Sequence, residues 1–383
     1  METLSLPKTG SQLSETEVET SIRWKQLWSL AALYGSIIIG WIAYQNYQPK
    51  LLVKFQFTNF TFLLIVAQGI ILVVTPLIAG KLGDRYRFEK GHRLPIISSG
   101  ISFAAMIFMA VAFTLLGNPG EIFKWILPFL IIFWLIAMSI FTSPALSTIE
   151  LFTPVDKLPH AMAILTIVSN LIYSLEPVIV DIIDYLGAPL TFITGGCVVF
   201  LSGYALKKTS LGLFKLSGNK EAKPEKVDVA AEKSAYAFIF FIGLSLGLAT
   251  TILFNVFPAM LETKLNGILN AEGKIILVSI LLLSALLSWP LSYVVNKYGM
   301  RRIYWLSFIF IALSMLGIWL SNLPVVVLIT VILFSITFTS LSVSALPLAI
   351  NRSNFSEKVF CVGLFFSGVA LPEGLIETIQ ALG

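Results

Sequence analysis

A chain of 383 residues that is 57% hydrophobic and only 12% charged cannot take water as its solvent along most of its length, because soluble domains carry about 25% charged residues. The formal net charge of +5 reflects basic cytoplasmic loops in a membrane protein rather than nucleic-acid binding. The two cysteines, Cys197 and Cys361, both sit inside apolar runs, which leaves no disulfide framework to infer.

The polar, acidic tail 1–25 lacks a signal-peptide pattern, so the first apolar run is read as an uncleaved insertion signal. Runs of about 20 apolar residues follow, each long enough to cross ~30 Å of hydrocarbon as a helix. They are continuous rather than alternating, which argues against a β-barrel. Eleven spans are predicted, near 26–46, 55–80, 94–116, 121–149, 159–186, 188–207, 235–261, 274–295, 302–321, 323–350 and 357–382. The Lys-rich polar segment 208–234 reads as a linker. The chain therefore divides into the tail 1–25, six helices over 26–207, the linker, and five helices over 235–383. With the N-terminus in the cytoplasm, cytoplasmic segments hold 21 of the 26 Lys and Arg residues, against 5 on the other side. That bias sets the expected topology.

In chain order, span 1 offers Trp41 and span 2 offers Gln68. The turn after span 2 reads "GKLGDRYRFEKGHR", with Gly80, Leu82, Gly83, Asp84, Arg85, Gly91 and Arg93 as its marked positions. The turn after span 8, "SYVVNKYGMRR", repeats it: Asp84 aligns with Asn296, Arg85 with Lys297, Gly91 with Gly299 and Arg93 with Arg301. Glu150 closes span 4. Span 5 ends in "LEPVIVDIIDYLG" (175–187) and span 11 in "LPEGLIETIQALG" (371–383), which pairs Leu175 with Leu371, Gly187 with Gly383 and Asp181 with Glu377. If span 11 repeats span 5, a twelfth helix is expected, and its place would lie open to a protein partner.

Ionisable groups inside spans are costly and are functional candidates by default. Glu176 lies 17 residues beyond Pro159, about 26 Å along a helix, and Glu373 is expected at a similar depth. Glu373 and Glu377 are one turn apart and share a face. Neighbouring carboxylates in low dielectric resist ionising together, so Glu176, Glu373, Glu377 and Asp181 are candidate proton carriers. Pro177 and Pro372 are expected to kink the helices beside them. Asp184 reads as a headgroup-boundary residue. Asn170, Tyr173, Asn255 and Gln68 either hydrogen-bond a polar solute or hold helix to helix. Trp41 and Trp289 either stack on a sugar face or anchor at the interface. No metal-ligand cluster, catalytic triad or phosphate-binding glycine loop is present in the sequence, so neither an enzyme nor a cofactor is expected.

The turn after span 2 resembles the G-x-L-x-D-R-x-G-R-R motif of the major facilitator superfamily: Gly80, Leu82, Asp84 and Arg85 match directly, and Gly91 and Arg93 match after four extra residues. "RLPIISSG" looks like the sucrose and glycoside–pentoside–hexuronide branch, although span 1 lacks the acidic residues of that branch. "SPALSTIELFTPVDKLPHAMAI" (143–164) is similar to the family's passage from helix 4 to helix 5. The resemblance implies an all-α, two-repeat membrane bundle that works by alternating access. It also implies that the motif latches the halves together on the cytoplasmic side. Asp84 would then face another helix's positive end, with span 11 capped by Asn354 or Ser356 and Arg85 paired with Glu150. Asn296 cannot form the same ion pair, so its turn is expected to be the weaker latch.

The expected protein is thus a proton-coupled secondary transporter, a symporter of a small neutral polar solute such as a saccharide. It would lie in the lipid bilayer of a bacterial inner (plasma) membrane and bind no nucleic acid. Two rivals remain: a non-transporting scaffold or assembly factor that kept the fold, and an exporter of lipophilic compounds whose acids bind cations.

Overall fold

The computed structural model describes residues 21–54, 61–117, 126–221, 234–266 and 271–382. Among these, eleven helices are long and apolar enough to cross a membrane, and the described chain contains no strand. We number them α1 (Trp24–Lys54), α2 (Thr61–Lys90), α3 (Leu94–Leu116), α4 (Ile126–Leu146) and α5 (Leu158–Ser174). The stretch Glu176–Glu221 is broken at Gly187 (φ 74°, ψ 162°). Residues 176–186 carry α5 onward, and 188–221 form α6. The second half holds α7 (Tyr236–Asn255, prolonged by Phe257–Leu265), α8 (Gly273–Tyr298), α9 (Met300–Leu320), α10 (Pro324–Asn351) and α11 (Lys358–Leu382).

Gly187 reverses the chain. Only glycine takes this positive φ without strain, and nothing lies within 4 Å of where its Cβ would be, so the requirement is conformational. After the turn, Thr191 Oγ1 donates to the Ile183 carbonyl at 3.3 Å. The returning α6 then runs beside α1, with Ser202 and Ser36 hydroxyls 2.9 Å apart and Gln26 Nε2 donating to the Thr209 carbonyl at 3.1 Å.

Helix ends differ from the hydropathy boundaries. α2 does not stop at residue 80 but runs to Lys90, leaving only 91–93 as the turn, with Gly91 at φ 73°. The equivalent Gly299 sits at φ 89° between α8 and α9. Residues 208–221, read as linker, are helix. The tail's first 20 residues, Lys124, 222–233 and Gly383 lie outside the described residues. α11 stays one helix through Pro372, whereas α5 is interrupted at Leu175, just before Pro177.

The halves meet most extensively along two seams, α2 with α11 and α5 with α8. The α2–α11 seam is closed by missing side chains. A Cβ on Gly363 would sit 2.1 Å from the Pro76 carbonyl oxygen, and one on Gly80 would sit 2.6 Å from Phe360 Cα. Close approach through small residues is how helices associate where lipid is as apolar as leucine. Ser367 Oγ adds a hydrogen bond to the Val73 carbonyl at 2.5 Å. The turns 91–93 and 299, with the α4–α5 and α10–α11 connections, lie at one end of the bundle, called here the basic end. The opposite end is the far end.

Candidate functional site

The basic end is held shut by side chains that α2 presents on one face. Because α2 continues past residue 84, Asp84 and Arg87 are three residues apart and share a face, while Arg85 is rotated about 100° away. Asp84 accepts from the Val359 N–H (3.1 Å) and the Phe360 N–H (2.8 Å). These belong to the first turn of α11, whose N–H groups have no partner within the helix and whose dipole favours an anion. Asp84 thus caps the first α-helical turn of α11, while Asn354 caps the 3-10 turn Phe355–Glu357 that leads into it, its Oδ1 accepting from the Ser356 N–H at 3.4 Å. Gly80 and Gly83 let the backbones approach this closely, since a Cβ on Gly83 would meet Val359 Cγ1 at 2.6 Å. Leu82 packs against the apolar core.

Arg93, buried, donates to Ser147 Oγ (2.6 Å) and to Glu150 Oε1 (2.6 Å). The other Glu150 oxygen lies 2.7 Å from Lys358 Nζ, so Glu150 ties the start of α3 to the start of α11. The expected Arg85–Glu150 pair does not form. Arg85 pairs instead with Glu89, one turn along its own helix and exposed, at 2.6 Å. Arg87, which sequence reasoning missed, is buried, donates to the Phe355 carbonyl (2.8 Å) and stacks 4.1 Å from the Phe355 ring.

The second copy of the turn is held differently. Asn296 Nδ2 lies 3.3 Å from His160 Nδ1 on α5, Lys297 lies over the neighbouring Tyr298 ring, and Arg301 is exposed. His160 packs edge-on against Trp289 (5.6 Å) and Tyr293 (4.5 Å), and Trp289 also meets Trp24 (6.3 Å). Trp289 is thus an aromatic clasp at the basic end and does not line the cavity.

Above this closed end lies a cavity with two lobes. The outer lobe encloses about 580 Å³ and is lined by Gln45, Gln48, Gln68, Tyr173, Glu176, Thr250, Thr251, Asn255, Glu373, Glu377 and Gln380, among others. The inner lobe, about 190 Å³, reaches Trp41, Met138, Ser143 and Phe366. Gln45, Gln68, Tyr173 and Glu373 line both. Gln68 is fixed in place: it accepts from the Tyr44 hydroxyl (2.7 Å) and donates to Glu377 Oε2 (3.0 Å).

Seven expected residues therefore converge from five helices: Trp41, Gln68, Tyr173, Glu176, Asn255, Glu373 and Glu377. Glu373 and Glu176 both line the outer lobe, and Glu373 also reaches the inner one. Asn170 lies elsewhere; its Nδ2 donates to Ser284 Oγ (2.8 Å), which also receives Thr339 Oγ1 (2.7 Å), joining α5, α8 and α10. Asp181 is exposed and outside the cavity. Asp184 pairs with Lys50 at 2.7 Å at the far end. Gln48 was missed because it lies past the end of the predicted span 26–46, whereas Gln45 and Gln380 fall inside predicted spans and were passed over among the other polar residues. Among the described residues, no cluster of three or more His, Cys, Asp or Glu side chains is placed to hold a metal ion.

The profile described as Major Facilitator Superfamily matches residues 61–374. The crystal structure of the human organic anion transporter MFSD10 (TETRAN) is similar with a TM-score of 0.66 at 11% identity, over 94% of this chain and 93% of that one. The proton:xylose symporter XylE, bound to 6-bromo-6-deoxy-D-glucose, is similar with a TM-score of 0.60 at 12% identity, over 94% of this chain and 90% of that one. No curated protein matches the chain in sequence. At such identities the two structures speak for the fold.

Proposed function

The chain belongs to the Major Facilitator Superfamily, and from that premise we propose that this multi-pass membrane transporter moves a small polar solute by alternating access, coupled to protons. The observation that carries the reading is a polar, carboxylate-lined cavity standing over a latched end. Pro49 and Ala381, in the last turns of α1 and α11, line the outer lobe, which supports access from the far end while Asp84, Arg93 and Glu150 hold the basic end. The concentration of Lys and Arg toward the basic end supports its placement in the cytoplasm, in a plasma membrane such as the bacterial inner membrane. A scaffold needs no such cavity, and that reading loses ground to it.

The human neighbour is an organic anion transporter and the other a proton:xylose symporter. Proton coupling carries over as a proposal because carboxylates face the cavity here. Anion transport does not, because no Lys or Arg lines either lobe among the described residues. Proteoliposomes containing wild type, Glu373→Gln or Glu176→Gln test the reading against a panel of sugars, amino acids and organic cations. Solute-dependent proton flux that disappears in Glu373→Gln is the expected result. Flux unchanged in both variants removes the carboxylates from proton coupling.

A further inference from the structure

Glu373 stands where the two lobes meet, and among the described residues its carboxylate has no hydrogen-bond or ion-pair partner. Glu377, one turn along the same helix, takes only the Gln68 amide at 3.0 Å. Glu176 faces the same space from α5, and the cation that acts on it, Lys274 at the start of α8, lines neither lobe. All three carboxylates are half-buried, and a proton or a cation stabilises a carboxylate partly withdrawn from water. The lining residues supply three carboxylates and no Lys or Arg to answer them.

Below Glu373 the cavity changes character. Trp41, Leu72, Met138, Phe366 and Val369 give the inner lobe most of its apolar wall, interrupted by the small hydroxyl residues Ser139, Thr142 and Ser143, a surface suited to a compact, mainly apolar body. Trp41 lines the inner lobe together with Glu373, and an indole favours a cation near its face.

We propose that the solute is an organic cation with a compact apolar body, its charged head at Glu373 and its body in the inner lobe beside Trp41 and Ser143. The assignment rests on the reading that this cavity is the transport site. An anion would meet three carboxylates with no Lys or Arg among the lining residues, and a saccharide, although its hydroxyls can donate to Glu373, would bring no positive charge to answer them.

The test is equilibrium binding to the full chain in lipid nanodiscs, by calorimetry. The probes are tetramethylammonium, benzyltrimethylammonium, the similarly sized anion benzenesulfonate, and D-xylose. Saturable binding of benzyltrimethylammonium is expected, with no response to benzenesulfonate or xylose and at least tenfold loss of affinity in Glu373→Gln. Ala370→Leu, which narrows the inner lobe while leaving every carboxylate in place, should weaken benzyltrimethylammonium far more than tetramethylammonium. The assignment is overturned if wild type binds neither cation, if benzenesulfonate or xylose binds as well as the cations, or if Glu373→Gln leaves cation affinity unchanged. Cation binding without proton flux in proteoliposomes would remove coupled transport and keep the cation site. Sugar-driven proton flux without cation binding would do the reverse.

Discussion

Asp84 and Arg85 are neighbours in sequence, yet only the acid reaches across to the other half. The difference is one residue of helix: Asp84 lies over the α11 N-terminus at 2.8 to 3.1 Å, and the next position turns outward to Glu89. Solvent screens that exposed pair, so Arg85→Ala should leave stability nearly unchanged. Arg93→Ala removes one of the two cations that neutralise the buried Glu150, and breaking a buried pair by removing one partner costs roughly 3 kcal/mol. Thermal unfolding of the two variants in detergent, followed by loss of the monodisperse species, should separate them clearly; equal midpoints would show that the buried network does not stabilise the fold. The sequence made Asp84, Glu150 and Arg93 visible as a motif, but their pairing depended on whether residues 85–90 were loop or helix. Read as loop, the segment gave Arg85 to Glu150. As helix, it places Arg87 beside Asp84 and leaves Glu150 to Arg93 and Lys358.

At the level of elements, hydropathy reports where a helix leaves the membrane, not where it ends. The eleven spans were legible because each needs about 20 apolar residues, and Gly187 was legible as the boundary between the fifth and sixth. The charged extensions to Lys90 and Glu221 were not, because a helix continues in water if its caps and neighbours allow it. For the same reason Gln48 was lost from the site: it sits on α1 beyond the predicted span 26–46, in the stretch that continues to Lys54. The role of glycine in the α2–α11 seam was also hidden, since sequence alone does not say which helices touch. A Cβ at Gly363 would stand 2.1 Å from a backbone oxygen that cannot move aside. Gly363→Ala should therefore cost roughly 2 kcal/mol or more through forced backbone shifts. Gly212, with nothing within 4 Å of its Cβ position, is the matched control on α6. Gly212→Ala should be neutral or stabilising by up to about 1 kcal/mol. Comparing the two unfolding midpoints checks this, and similar behaviour would mean the seam is looser than its geometry indicates.

For the molecule as a whole, the two ends of the α2–α11 seam cannot be treated independently. The helices are antiparallel and touch from Asp84–Phe360 at the basic end to Gln68–Glu377 beside the cavity, so separating one end swings the halves about the other. The latch then sets a population as well as a stability. Asp84→Ala strips the acceptor from two helix N–H groups, worth about 1 kcal/mol each. Loss of about 2 kcal/mol shifts a two-state equilibrium on the order of 30-fold. Two cysteine reporters follow that shift, placed in a Cys197→Ser, Cys361→Ser background. Gln48→Cys reads the outer lobe, and Ser344→Cys, fully buried two turns from the basic end of α10, reads the closed side. With an impermeant maleimide, Asp84→Ala should raise labelling at Ser344→Cys and lower it at Gln48→Cys in the same preparation. Reciprocity is the content of this prediction, because a rocking pair of rigid halves opens one end only by closing the other. Labelling that rises at both positions would mean that the latch merely holds a soft bundle together, and alternating access would lose its structural basis here.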